Sequence, residues 1–279
     1  MNGLTNTVFL NDVWQNTWAG KDPFIEAQAL QGKVYRSKEG RRTLQFTHAG
    51  NSYFLKLHEG IGWGEIVKNL VQLRLPVLGA ASEYHACLRL KTLGVDTLTP
   101  VAFGQRGVNP AQQLSFLITE DLVNTISLED VCKHWATQPP TLREKRAVIR
   151  KLATISKTLH DNGINHRDYY LCHFLRADNG KVFQQNDALY LIDLHRAQMR
   201  AAVPKRWRVK DLAGLFYSAF DVPLTRRDLL CFLSVYQRSW LRDVSDAQLQ
   251  AVCHKAVALY HKDFNREPPA HIGQILKRI

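Results

Sequence analysis

Between residues 32 and 58 apolar and polar positions alternate in three short runs, GKVYRS, RTLQFTH and SYFLKLH, the last two joined by the polar turn AGN. A period of two over runs this short predicts strands, and their close succession predicts an antiparallel meander. The pattern then lengthens: GEIVKNLVQLRL, closed by Pro76, and ASEYHACLRLKTLG, from near Ser82 to Gly94, read as helices. TPVAFGQ and LSFLITEDL return to strand texture.

From about Leu122 helix starts become legible, because a Ser or Thr followed three residues later by Asp, Glu or Gln can satisfy free backbone N–H groups of a first turn. SLED, TLRE, TRRD and SDAQ are four such starts. The longest predicted helix runs from Thr141 to a stop at Gly163, with Ala147, Ile149, Leu152, Ile155 and Leu159 along one side. It leads directly into INHRDYYLCHFL, residues 164–175. Two short strand patterns follow, HFLR and LYLIDL, separated by the loop ADNGKVFQQNDA, and the remainder reads as helical. No internal repeat or low-complexity tract interrupts the chain. The expected organisation is a strand-rich lobe over residues 1–121 and a helical lobe over 122–279.

At 279 residues and 45% hydrophobic content, the chain suits one large domain or two lobes sharing a cleft. Its longest apolar runs are far short of the ~20 residues of a membrane span, and MNGLTNTVFLNDVWQN lacks the basic and apolar regions of a signal peptide. A cytoplasmic location is the expectation. Five scattered cysteines without a C-x-x-C pair read as reduced thiols. The formal net charge of +12 points to an anionic partner: nucleic acid, a phospholipid surface, or a phosphorylated or carboxylated substrate. No nucleic-acid recognition motif accompanies the charge, so nucleic acid is not expected.

A long helix ending in His-Arg-Asp, then two strands, then a second aspartate inside LIDLH is the order of parts of an α+β, protein-kinase-like bilobal fold, with an antiparallel sheet in the N-lobe and a helical C-lobe. Phosphoryl transfer from ATP needs Mg2+ to neutralise the β and γ oxygens and a carboxylate to orient and deprotonate the attacking hydroxyl. Asp168 is the candidate carboxylate and Asp193 the candidate metal ligand. Lys56, on the third strand of the meander, is placed to hold the ATP phosphates, and Glu83, near the start of the second helix, to pin that lysine. His173 stands five residues after Asp168, where protein kinases place a metal-binding asparagine, and is a second candidate ligand. Taken singly, Lys56 could be an edge-strand lysine and Glu83 a surface residue. His166 and Arg167 read as braces, and Tyr169 and Tyr170 as packing.

GIGWGE, residues 60–65, resembles a nucleotide loop but has the wrong spacing and no following G-K-[ST]. The glycine-rich phosphate cover of kinases should lie between the first two strands, where only Gly40 is available. After Asp193 the chain reaches the helix containing Asp211 without a long activation segment, which leaves no peptide-docking platform and favours a small-molecule or sugar acceptor. The intervening stretch holds Arg196, Arg200, Lys205, Arg206, Arg208 and Lys210 around Trp207. Arg196, Lys205, Arg206 and Arg208 are candidate ligands for an anionic acceptor, against the plainer reading of a solvated basic face.

LQGKVYR (30–36), EGRRTL (39–44), GIGWGEI (60–66), LPVLGA (75–80), NHRDYYLCHFL (165–175), IDLHRAQ (192–198) and PKRWRVKDLA (204–213) together resemble the bacterial lipopolysaccharide core heptose kinases. The resemblance implies an ATP- and Mg2+-dependent sugar kinase that phosphorylates the first inner-core heptose of a lipopolysaccharide glycolipid. It implies work at the cytoplasmic face of the inner membrane, with Asp168 as the catalytic aspartate. Related kinases that act on Kdo or the second heptose are the nearest alternatives. A catalytically silent kinase-like adaptor on an anionic membrane is the alternative from another class, and retention of Lys56, Glu83, Asp168 and Asp193 argues against it. Trp63, Ile66, Leu70 and Leu73, set against Lys68 and Arg74, form an apolar stripe that suits either a membrane surface or the chain's own core.

Overall fold

A computed structural model describes residues 6–38, 40–60, 62–71, 79–237 and 246–277. The chain divides into two compact units, one of Met1–Arg89, Leu98–Val123 and Leu194–Arg196, the other of Leu90–Thr97, Asn124–Asp193 and Ala197–Ile279.

The first unit opens with β1 (Asn6–Leu10), α1 (Asp12–Thr17) and α2 (Pro23–Ala29), three elements that the periodicity above does not signal. Both helices are short and capped, Asn11 accepting from the Trp14 N–H and Asp22 from the Phe24 N–H. The expected meander follows as β2 (Lys33–Lys38), β3 (Arg41–His48) and β4 (Asn51–His58). Ala49 and Gly50, both at positive φ, turn β3 into β4, the two-residue geometry that matches strand twist. After α3 (Gly62–Val71) and α4 (Ala81–Thr92), β5 (Pro100–Arg106) and β6 (Leu114–Glu120) complete an antiparallel sheet of order β1-β5-β6-β4-β3-β2. One face of this sheet is sealed by Trp14, Trp18 and Phe24 against Leu44, Leu55 and Phe116, all essentially buried. Each such side chain contributes roughly 1.5–3 kcal/mol relative to exposure.

The first glycine of GIGWGE serves backbone packing. Gly60 has φ of 82° and lies against the Ala111 carbonyl, where a Cβ would collide, and the Gly62 N–H donates to that carbonyl at 3.0 Å. Pro76, the expected stop of the first long helical pattern, lies outside the described residues.

In the second unit β7 (Thr125–Ser127) leads to α5 (Leu128–Lys133), capped by Ser127, and then to α6 (Leu142–Asp161), capped by Thr141. Two further capped starts were expected: Thr225 and Asp228 form a reciprocal capping box, while Ser245 of SDAQ lies outside the described residues. Gly163, at φ of 75°, closes α6 against the backbone of Arg200, leaving no room for a Cβ. β8 (Ile164–Asn165) then introduces the His-Arg-Asp loop, which runs through a 3-10 turn (Leu171–His173) into β9 (Phe174–Ala177). The strand expected over LYLIDL is reduced to β10 (Tyr190–Leu191), because Asp193 takes a left-handed φ of 61° that no strand accommodates. β11 (Gln198–Met199) pairs with β8, and α7 (Lys205–Ser218), α8 (Arg226–Tyr236), α9 (Asp246–Phe264) and α10 (Ala270–Leu276) finish the unit. Its core gathers Ala153, Leu212, Phe220, Tyr236, Ala256 and Tyr260.

Candidate active site

Two constellations stand where the sequence places its charged candidates, one in each unit. In the first, Lys56 projects from the middle of β4 and donates to both oxygens of Glu83 on α4, at 2.7 and 2.9 Å. The Glu83 side chain is 1% exposed and the Lys56 side chain 24%, so the glutamate is sealed while the lysine side chain is partly exposed. A buried carboxylate needs such a partner, and a lysine held in one rotamer is a fixed positive charge. Beside it, on the same strand, His58 is buried with no partner at Nδ1. Burial, reinforced by Arg41, Lys56 and His195, pulls its imidazole down to about 3, so His58 is neutral at physiological pH.

The second constellation is the His-Arg-Asp loop. Asp211, 1% exposed on α7, accepts from the backbone N–H of His166 at 2.7 Å and of Arg167 at 2.8 Å. One carboxylate thereby fixes two consecutive peptide units immediately before Asp168. Arg167 sits at φ of 76°, a conformation a non-glycine residue adopts only when its surroundings enforce it, and these two bonds are part of that enforcement. His166 is fully buried and bonds the Ile192 carbonyl through Nε2, tying the loop to the segment that carries Asp193. Its imidazole is held below the ordinary histidine range, first by burial and then by the His173 ring, with Asp211 and Asp193 opposing. The brace reading of His166 and Arg167 thus acquires a definite geometry. Tyr169 is a buried packing residue whose hydroxyl meets Ser156 at 2.9 Å. Gly214 lets the loop approach α7: a Cβ there would stand 3.0 Å from the Tyr169 carbonyl and 3.1 Å from the Tyr170 ring.

His173 bonds the Asp168 carbonyl through Nδ1 at 2.6 Å and presents Nε2 to Asp193 Oδ2 at 3.5 Å. A carbonyl only accepts, so Nδ1 carries a proton, and the ring turns Nε2 to the Asp193 side. His173 therefore touches both the backbone of Asp168 and the carboxylate of Asp193. Magnesium prefers oxygen and is commonly held by one or two carboxylates plus substrate phosphates, keeping several waters. Asp193 supplies a carboxylate and His173 a nitrogen donor within reach, and among the described residues no group of three or more His, Cys, Asp or Glu gathers into a cage. That donor set fits a metal carried in on nucleotide phosphates.

Of the basic residues after Asp193, Arg206 and Lys210 lie over the Trp207 ring at 5.2 and 5.5 Å, joined there by Arg167 at 5.1 Å and Arg200 at 5.8 Å. Lys205 is exposed at the start of α7, and Arg196 belongs to a 3-10 turn (Leu194–Arg196) in the first unit. Arg208 departs from the acceptor expectation. Its guanidinium donates to the carbonyls of Val203 and His160 and lies 3.9 Å from Asp161, so it braces α7 against the end of α6.

The sequence reading missed Asp211 as a functional residue, and no local pattern marks it: its partners lie more than 40 residues upstream. It also missed an apolar cavity of about 120 Å3 in the second unit, walled by α6, α7, α8 and α9 through residues such as Leu152, Leu215, Leu229, Tyr236 and Val252, and touched by Leu171 of the loop.

Comparison with known proteins gives this geometry a family. The model of the lipopolysaccharide kinase (Kdo/WaaP) family matches residues 26–236. The chain is 51% identical over 237 residues to lipopolysaccharide core heptose(I) kinase WaaP of Escherichia coli, covering 85% of this chain and 89% of that protein. It is 50% identical over 256 residues to the protein of the same name from Pseudomonas aeruginosa, covering 91% and 96%. A solved structure, WaaP in complex with acyl carrier protein, superimposes with a TM-score of 0.80 at 44% identity, covering 91% of this chain and 99% of that one. The chain belongs to the lipopolysaccharide kinase (Kdo/WaaP) family and has its protein-kinase-like fold.

Proposed function

We propose that the chain transfers the γ-phosphoryl group of ATP to a hydroxyl of the first heptose of the lipopolysaccharide inner core. The observation that carries this reading is the fixed catalytic loop, in which Asp211 sets the backbone before Asp168. The heptose(I) kinase names of relatives about half identical to this chain favour heptose over Kdo as the acceptor sugar.

In this reading Asp168 accepts the proton of the attacking hydroxyl and aligns its oxygen. Lys56, immobilised by Glu83, meets phosphate oxygens of ATP with a charge that does not reorganise during transfer. Asp193 and Nε2 of His173 would hold Mg2+, which would neutralise charge on the phosphates. Lys205, Arg206 and Arg196 are offered to anionic groups of the acceptor, while Arg208 is assigned to the scaffold.

Two features bear on how a lipid-linked acceptor is met. No helix among the described residues is long and apolar enough to cross a membrane, and α3 exposes Trp63, Val67 and Val71, four residues apart, at 58%, 54% and 78%. Such a stripe supports peripheral contact with the anionic inner-membrane surface from the cytoplasmic side. An acyl carrier protein, the partner of the solved relative, is a second proposed partner, supported here by the apolar cavity, whose lining suits an acyl chain.

The test is to incubate the protein with labelled ATP and core glycolipids truncated before and after the first heptose, then locate the phosphate. Label is expected only when the first heptose is present. Transfer to the acceptor that ends in Kdo would overturn the heptose assignment.

A further inference from the structure

Asp211 has a third neighbour besides the two loop amides. His160, buried near the end of α6, places Nε2 3.5 Å from Asp211 Oδ2 and Nδ1 2.8 Å from the hydroxyl of Tyr236 on α8. The donors and acceptors in this line admit one arrangement for a neutral ring. A carboxylate only accepts, so His160 carries its proton on Nε2, and its Nδ1 lone pair then accepts from the Tyr236 O–H. His160 is further fixed through its backbone, where Arg208 donates to its carbonyl at 3.1 Å. Tyr236 is itself 6% exposed and its ring is part of the cavity wall. The line therefore runs from the cavity wall, through two buried side chains, to the carboxylate that sets the peptide units before Asp168.

We propose that Tyr236 and His160 are positioning residues for the phosphoryl-transfer reaction, holding Asp211 in the orientation that fixes the catalytic loop. Neither touches substrate. Asp211 uses Oδ1 for Arg167 and Oδ2 for His166, and His160 approaches that same Oδ2. Without a donor there, the carboxylate can rotate about its last side-chain torsion, and both loop amides lose alignment together. A loop misplaced by a fraction of an ångström keeps its ligands and loses rate, since alignment matters most in the transition state. The apolar cavity wall is in this way built into the active-site scaffold. The assignment rests on the kinase reading above.

Tyr236→Phe removes one hydroxyl and leaves the ring in the wall, and His160→Asn shortens the bridge. The measurements are kcat and KM for ATP and for the heptose acceptor, thermal midpoint, and hydrogen exchange at the His166 and Arg167 amides. For Tyr236→Phe the expected result is a kcat lower by about 3- to 10-fold, both KM values within about 2-fold, and faster exchange at the two amides. Because the residues act in series, the double variant is expected to be no slower than His160→Asn alone. An unchanged kcat in Tyr236→Phe, or a double variant whose loss equals the product of the single losses, would overturn the proposal. If His160→Asn does not fold, Tyr236→Phe decides alone. A wild-type protein inactive on heptose would sink the acceptor reading, while exchange at the two amides, which needs no turnover, still tests the relay.

Discussion

The Asp168 carbonyl receives the Nδ1 proton of His173 at 2.6 Å, and the opposite ring nitrogen stands 3.5 Å from Asp193 Oδ2. The backbone of the candidate base thus orients the ring of the candidate metal ligand. An imidazole nitrogen is a better donor to manganese than to magnesium. His173→Asn is expected to lower the manganese-supported rate relative to the magnesium-supported rate by about 5-fold, an order-of-magnitude figure from such donor preferences. Rates measured in each metal alone provide the check; an unchanged ratio would reduce His173 to a packing residue.

The proposed mechanism gives Asp168 the proton-transfer role. Replacing a positioned base typically costs ~10²–10⁴ in rate. Asp168→Ala is expected to lose kcat in that range with little change in the KM for ATP, because the nucleotide is assigned to other residues. Wild-type turnover by the purified variant would remove Asp168 from the mechanism.

Lys56 and Glu83 make a pair of unequal burial, and the asymmetry predicts unequal variants. Lys56→Met strands a carboxylate that is 1% exposed, a loss of roughly 3 kcal/mol or more if the charge persists, and it raises the KM for ATP. Glu83→Gln keeps a hydrogen-bond acceptor for the ammonium and is expected to unfold at a higher temperature than Lys56→Met. Thermal melts of the two variants side by side test this ranking.

His58 predicts an acid-side loss of stability. Its folded-state value is depressed to about 3, below the ordinary value of 6.5, so the unfolded chain takes up the proton first as pH falls. The contribution of the neutral, buried ring is complete above about pH 6.5 and is lost progressively as pH falls toward 3. It amounts to a few kcal/mol at most. His58→Leu should flatten denaturant-derived stability between pH 6.5 and pH 4 relative to wild type. Parallel pH profiles in the two proteins would contradict it.

How far the site could be read in advance depended on how local each signal was. Lys56, Glu83, Asp168 and Asp193 were legible because each sits in a short pattern of its own, and their order along the chain constrains their roles. The helix caps at Ser127, Thr141 and Thr225 were legible for the same reason, being bonds between residues three apart. Asp211 was not, since its work is done on two amides 45 and 44 residues upstream. The His160–Tyr236 contact spans 76 residues and leaves no trace in periodicity. α1 and α2 escaped because helices of six and seven residues are too short to show a period. The Asp22-Pro23 pair, a cap followed by proline at the first helical position, was the signal that could have found α2. The backbone contacts of Arg208 could not be foreseen because charge alone does not reveal which way a guanidinium turns.

The bond from Asp211 to the His166 and Arg167 amides also orders events during synthesis. A chain that has emerged only as far as residue 210 already holds every residue of the His-Arg-Asp motif, yet lacks the carboxylate that accepts from the two amides before Asp168. The loop acquires its working shape only when α7 is made and packs beside it. A truncation that stops short of Asp211 therefore ends with the candidate base present and its aim undefined, and competence arrives with a residue that never meets the substrate.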